Sequence, residues 1–171
     1  MANALIVIDV QNYFVHERAA SLPAKIASHI QYGEYDHVLF TAFHNQTESN
    51  FHRILNFTDV MKSPAVDIHE TLSEYVAAER LFVKDTYSAM KVPALSTYLE
   101  THAVDTIYLC GINIDGCVLA TAFEAFDLGY DITVLENLCS VASVRNDYMD
   151  AAKLIIYRNL SRDRVRHKRE A

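Results

Sequence analysis

Apolar runs alternate with amphipathic segments along most of the chain. Five short runs rich in β-branched and aromatic residues predict strands at 4–9, 37–42, 80–84, 106–111 and 131–136. Segments with helical spacing of apolar residues predict helices at 21–33, 93–103, 117–129 and 146–160. The stretch 43–78 breaks this alternation, so we expect a long functional loop there, with a short helix near 50–57.

This order of elements indicates the fold class. A continuous apolar run such as residues 4–9 is typical of a strand buried on both faces, and helices between strands are typical of parallel pairing. We therefore expect an α/β fold: a three-layer α/β/α, Rossmann-like arrangement with a mostly parallel sheet of five to six strands and helices on both faces. Residues 1–171 are expected to form one domain, with 158–171 as a basic C-terminal tail.

Composition narrows the class of protein. Apolar residues make up 51% and charged residues 22% of the chain, as in an ordinary globular domain. The net charge of −7 argues against nucleic-acid binding, and no apolar run approaches the roughly 18 residues needed to span a membrane. The N-terminus lacks the basic segment of a secretory signal, and the three cysteines are too few for a disulfide framework. We therefore expect a cytoplasmic protein without nucleic-acid or membrane partners.

Polar residues occur where three predicted strands end. Asp9 ends the first strand, Lys84 ends the third, and Cys117 follows the fourth. Ligands of open parallel sheets bind at the carboxyl ends of the strands, so this pattern predicts that the three side chains meet at one functional edge. The alternative is structural: Asp9 and Lys84 would form a salt bridge at the rim, and Cys117 would be a small buried hydrophobe.

Cys117 stands at the junction of a strand and a helix. The free N–H groups and partial positive charge of a helix start stabilise a thiolate, so the position favours a nucleophile. Cys139 follows the fifth predicted strand and is the rival nucleophile, although no helix start lies beside it. Cys110 lies inside an apolar strand and is expected to be inert packing.

Three sequence elements together carry a resemblance to a known family. They are D-x-Q-x-x-F with Asp9, Gln11 and Phe14, K-x-x-Y-S with Lys84, Tyr87 and Ser88, and G-I-N-I-D-G-C-V at 111–118. In this order and spacing the chain resembles the isochorismatase-like cysteine hydrolases, the superfamily that includes nicotinamidases, and within it a metal-free branch.

The resemblance implies roles for particular residues. Asp9, Lys84 and Cys117 would be the catalytic triad, and the backbone N–H groups of Asn113 and Cys117 would form the oxyanion hole. The family's cis peptide bond maps onto Ile112–Asn113. Asp115 is expected to be the N-cap of the helix that carries Cys117.

We predict no cofactor and no bound metal. Nicotinamidases of this family hold a metal ion with an aspartate and histidines after the second strand, but Phe43 stands where the acidic ligand would be needed. His44 and His52 without a carboxylate make a poor site. Asp67 and His69 are an alternative ligand pair, but they fall late in the loop before the third strand.

The aromatic residues Phe14, Phe43 and Tyr87 are expected to line the substrate pocket, unless they belong to the core. The expected function is hydrolysis of a C–N bond in a small amide or ureido compound through a thioester. Two alternatives stay open: vinyl-ether hydrolysis of the isochorismatase type, and a non-catalytic oligomer of the same fold that binds a metabolite. The expected partners are a small-molecule substrate and further copies of the chain, as a dimer or tetramer.

Overall fold

A computed structural model describes residues 2–143 and 146–161. Five strands form one parallel sheet in the order β3-β2-β1-β4-β5. The strands are β1 (Ala2–Ile8), β2 (His37–Phe43), β3 (Leu81–Lys84), β4 (Val104–Ile112) and β5 (Asp131–Ser140). The α-helices are α1 (Leu22–Tyr32), α2 (Asn50–Leu55), α3 (Pro93–Thr101), α4 (Leu119–Asp127) and α5 (Asn146–Leu160). The predicted three-layer α/β fold is confirmed.

The core lies on both sides of the central strand. Residues 4–8 of β1 are fully buried, and β2 and β4 flank them with further buried aliphatic side chains. The chain moves outward from β1 through β2 to β3, then crosses to β4 and continues to β5. The direction of winding therefore reverses between β1 and β4, which is where open α/β sheets form their ligand crevice.

Gly111 allows β4 to approach β1 closely at this point. Its φ of +123° lies in a region that favours glycine, and it is paired with Ile8 in the sheet. A Cβ at this position would lie 2.1 Å from the carbonyl oxygen of Ile8, far inside van der Waals contact. Glycine is therefore required for the end of β4 to lie against the end of β1.

The fifth strand is longer than the sequence predicts. Strand β5 continues to Ser140, because its pairing with β4 shifts after Leu109 and resumes at Gly111 opposite Cys139. The polar residues Glu136 and Asn137 interrupt the apolar run, which is why the predicted strand ends at 136. Cys139 consequently lies inside β5 rather than after it, and the expected position of this cysteine is wrong.

The long stretch 43–78 contains the short helix α2 and a 3-10 segment at Glu70–Tyr75. Within the described parts of the chain, no helix combines the length and the apolar character needed to cross a membrane. Most of the basic C-terminal tail, residues 162–171, lies outside the described residues.

Candidate active site

Asp9 follows β1 directly and is fully buried. Its backbone adopts a left-handed conformation, with φ of 50°, and its N–H donates to the carbonyl of Thr41 at 3.2 Å. The Thr41 hydroxyl donates to Asp9 Oδ1 at 2.7 Å. Strand β2 therefore fixes both the backbone of Asp9 and its carboxylate oxygen Oδ1. The other oxygen, Oδ2, takes no part in these hydrogen bonds.

Lys84 joins the other two predicted residues. Its ammonium Nζ lies 2.7 Å from Asp9 Oδ2 and 3.4 Å from Cys117 Sγ, and it donates to the carbonyl of Thr86 at 2.8 Å. The side chains of Lys84 and Asp9 are both shielded from solvent. The three residues that the sequence places at the carboxyl edge thus come together around one ammonium group. The alternative of a salt bridge at an exposed rim does not fit this burial.

Cys117 lies in a wide helical turn, Ile114–Val118, that leads into α4. The carbonyl of Asn113 accepts hydrogen bonds from the N–H groups of Gly116 and Val118, both at 3.1 Å, and the second spans five residues as in a π-helix. Asn113 is the N-cap residue of this turn, and Asp115 lies within it. The expected N-cap role of Asp115 is therefore wrong, because the turn begins at Ile114 and already includes Asp115.

The peptide bond between Ile112 and Asn113 is cis. The side chain of Asn113 accepts a hydrogen bond from the N–H of Ala142 at 2.5 Å. This contact links the segment before Cys117 to the segment that follows β5. The backbone before Cys117 is therefore held both by β4, from which it continues, and by the segment after β5.

The environment of Cys117 favours its protonated form. Burial and the charge of Asp9 raise the pKa of the Cys117 thiol to about 12, although Lys84 acts in the opposite direction. Burial and the nearby carboxylate therefore act against the thiolate that we expect at a helix start. Burial acts to lower the pKa of Lys84, but Asp9 and Cys117 raise it further, so Lys84 stays charged.

A cleft of about 620 Å³ opens above Cys117. All three predicted pocket residues, Phe14, Phe43 and Tyr87, lie in its wall. The Phe43 ring also lies under the ammonium of Lys84, with 5.4 Å between Nζ and the ring centroid. Cys117 and Asn113, which are expected in the triad and the oxyanion hole, also line it. The lining residues that the sequence does not predict are Tyr13, His16, Phe51, Leu55, Phe57, Gly116 and Ala142.

The residues at the position where nicotinamidases of the family hold a metal ion do not fit one in this chain. Phe43 is buried, and the ring of His44 contacts the carbonyl of Met61 through Nε2 at 2.9 Å. The alternative pair is also engaged: Asp67 accepts from Ser63, and His69 accepts from the N–H of Thr71. Among the described residues, no three His, Cys, Asp or Glu side chains gather in a metal-binding arrangement.

Two further residues build the site without being predicted from sequence. Thr41 orients Asp9, and its signal is a polar residue inside the otherwise apolar second strand. Thr121 donates to the carbonyl of Cys117 at 2.7 Å and accepts from the N–H of Ala89 at 3.0 Å. In the sequence, Thr121 is a polar residue one helical turn after the cysteine, and the structure shows that it is buried.

Comparison with known proteins agrees with the family resemblance seen in the sequence. The Isochorismatase domain family matches residues 3–158. A segment of 41 residues is 46% identical to the nicotinamidase of Saccharomyces cerevisiae, covering 24% of this chain and 19% of that protein. The alignments with the curated relatives span only 19% to 32% of their lengths.

Solved structures share the fold over nearly the whole chain. An isochorismatase-like hydrolase from Alkaliphilus metalliredigens is 18% identical with a TM-score of 0.79, and 91% of each chain is covered. N-carbamoylsarcosine amidase from Thermoplasma acidophilum is 24% identical with a TM-score of 0.74, covering 94% of this chain and 93% of that one. With the family match across residues 3–158, these results show that the chain belongs to the isochorismatase family.

Proposed function

We propose that this protein is a cysteine hydrolase that cleaves a C–N bond of a small amide or ureido compound through a thioester. The observation that carries this proposal is the meeting of the buried residues Asp9 and Lys84 with Cys117, which lines the cleft. A buried base beside a thiol that opens to a substrate-sized cavity is the arrangement that nucleophilic catalysis requires. Relatives named as nicotinamidase and N-carbamoylsarcosine amidase act on C–N bonds, which supports the same reaction type.

Acylation begins with transfer of the thiol proton of Cys117 to the carboxylate of Asp9. The sulfur forms a bond to the carbonyl carbon of the substrate, and the carbonyl electron pair moves onto oxygen. Asp9 then returns the proton to the leaving nitrogen as the C–N bond breaks, giving a thioester and a free amine or ammonia. A thiol with a pKa of about 12 fits this sequence, because the proton leaves only when attack occurs.

Deacylation uses the same base. Water gives a proton to Asp9 and attacks the thioester carbonyl. The C–S bond then breaks, and the proton passes to sulfur, which restores the thiol and releases a carboxylic acid, or a carbamic acid from a ureido substrate. Lys84 remains charged throughout and balances the negative charge that moves between Asp9 and Cys117.

The backbone N–H groups of Asn113 and Cys117 are proposed to stabilise the oxyanion. The carbonyl of Asn113 accepts hydrogen bonds from the N–H groups of Gly116 and Val118, the residues on either side of Cys117. This pattern supports Cys117 N–H as the donor that the turn directs toward substrate. Each such donor contributes about 3 kcal/mol to stabilisation of the transition state.

The test is a screen of small amides and ureido compounds for ammonia release, followed by intact-protein mass spectrometry of the best substrate. We expect a transient mass increase equal to the acyl group, located on Cys117 and absent from Cys117→Ala. Turnover of the amide that persists in Cys117→Ala would contradict the thioester, because the C–N bond would then be cleaved without the sulfur.

A further inference from the structure

Part of the cleft wall is formed by a loop whose two ends are joined by hydrogen bonds of one buried side chain, that of Asn45. Asn45 is 1% exposed, and its amide donates to the carbonyls of Phe57 at 2.7 Å and Asp59 at 3.1 Å. Its N–H also donates to the carbonyl of Val60 at 2.9 Å. Residues 45–60, which we call the flap, are therefore tied into a ring at their base.

Asn45 also fixes the short helix of the flap. Its side-chain oxygen accepts from the hydroxyl of Ser49 at 2.6 Å, and that hydroxyl in turn accepts from the N–H of His52 as the N-cap of α2. Ser49 is itself buried. The position of α2 over the cleft is therefore set by hydrogen bonds rather than by packing into the core.

The flap supplies apolar side chains to the cleft. Phe51 lies between Phe43 and Tyr87, with ring centroids 4.7 Å and 4.5 Å away, and Phe57 lies 6.0 Å from the ring of Tyr13. These spacings are those of interacting aromatic pairs, so the rings form a continuous wall. The wall and Cys117 line the same cleft, so a substrate bound at the sulfur would lie against these rings.

Few side chains near the cleft could pair with an anion. None of the described residues that line it is a lysine or arginine, and the histidine among them, His16, is exposed to solvent. The ammonium of Lys84 is already shared by Asp9, Cys117 and Thr86, and the hydroxyl of Tyr13 donates to Asp59 at 2.8 Å. A carboxylate placed against the aromatic wall would lose its hydration without gaining a lysine or arginine as a partner.

We propose that the substrate's acyl group is uncharged and apolar, and that the flap selects it by packing Phe51 and Phe57 against it. This inference rests on the proposed hydrolase function and deepens it, because it specifies the charge and polarity of the acyl group. Neutral amides with a branched or cyclic apolar group fit the cleft, whereas carboxylate-bearing ureido and amide compounds do not.

A matched pair of amides tests the proposal on the intact protein. 4-Methylpentanamide and succinamate have nearly the same shape, but an isopropyl group in the first replaces the carboxylate of the second. We expect kcat/KM for 4-methylpentanamide to exceed that for succinamate by about 100-fold or more, because the carboxylate is desolvated without a partner. Equal or better turnover of succinamate would overturn the proposal while leaving a working hydrolase. His16→Gln then shows whether the imidazole at the rim binds the anion.

Two substitutions on α2 separate the role of the flap from general effects on the fold. Phe51→Ala should raise KM for 4-methylpentanamide about 10-fold with a smaller change in kcat, since the apolar contact is lost in the bound and transition states alike. Ile54 lies on the same helix but is 68% exposed and outside the cleft lining, so Ile54→Ala should leave KM unchanged. Equal effects of the two substitutions would contradict selection by the flap.

Binding measured without turnover distinguishes failure of this inference from failure of the proposed function. Isothermal titration of Cys117→Ala with both amides should show tighter binding of 4-methylpentanamide. If the wild-type protein hydrolyses neither amide but this binding preference is found, the cleft selects apolar ligands and the hydrolase proposal fails. If succinamate binds more tightly, the selection proposal fails whatever the catalytic result.

Discussion

The ends of β4 and β5 each place a cysteine near the carboxyl edge of the sheet, and the two sites differ in partners and access rather than in acidity. Burial is the main cause that raises the pKa of both Cys117 and Cys139, in each case to about 12. Their acidity therefore does not separate them. Burial therefore acts against a thiolate at both positions.

Partners and access separate the two cysteines. Cys117 lies 3.4 Å from the Lys84 ammonium, is influenced by the Asp9 carboxylate, and lines the cleft. Cys139 is buried, and its thiol donates to the carbonyl of Leu135 at 3.4 Å. A nucleophile in this fold is thus defined by an adjacent base and an open approach, rather than by a low resting pKa.

The largest expected effect on turnover comes from replacing each of the two cysteines separately by alanine. Cys117→Ala should reduce kcat by about 1000-fold or more, because the covalent route is lost. Cys139→Ala should keep kcat within about threefold and lower stability by roughly 1 kcal/mol through lost packing. Ammonia release and urea unfolding measure the two effects, and a large loss of turnover in Cys139→Ala alone would reverse the assignment.

Asp9→Asn should act on activity and on thiol acidity in opposite directions. Loss of the base should reduce kcat by roughly 100- to 10,000-fold. Loss of the negative charge removes one of the influences that raise the pKa of Cys117, while Lys84 still lowers it, so alkylation of Cys117 by iodoacetamide at pH 8 should become faster. Alkylation of Cys139, which has no contact with Asp9, serves as the internal reference. Unchanged alkylation of Cys117 would show that Asp9 does not influence the thiol.

The pH dependence of alkylation tests the resting state of the wild-type protein. Because the pKa of Cys117 is about 12, the thiolate fraction should grow about tenfold for each pH unit between pH 7 and pH 10, without a plateau. Cys139 should follow the same slope at a much lower rate, because it is buried. Peptide mapping after timed alkylation gives both rates, and a plateau near neutral pH would indicate a preformed thiolate.

The floor of the site could be predicted from sequence because it depends on strand ends. Asp9, Lys84 and Cys117 each follow an apolar run, and parallel pairing brings the ends of such runs to one edge. Gly111 was visible as part of the motif before the cysteine, although its reason, the close approach to Ile8, requires the structure.

The flap and the acidity of the thiol could not be predicted in the same way. The flap has no regular spacing of apolar residues, and its place over the cleft depends on Asn45, whose hydrogen bonds to carbonyls 12 and 14 residues away leave no sequence pattern. The pKa of Cys117 depends on burial and on the charge of a residue more than 100 positions away. Sequence indicates a helix start, but it cannot weigh that influence against desolvation.

The smallest expected effect concerns Thr121, which supports the turn after β4, in comparison with Thr133 in β5. Thr121→Val keeps the side-chain shape but removes the hydroxyl that donates to the Cys117 carbonyl and accepts from the buried N–H of Ala89. Leaving that N–H unpaired should lower the free energy of unfolding by about 1–3 kcal/mol. Thr133→Val in β5 is the matched control, since Thr133 is exposed and should change stability by less than about 0.5 kcal/mol. Urea unfolding of both variants measures the difference, and equal stabilities would mean that the hydroxyl of Thr121 does not support the turn that carries Cys117.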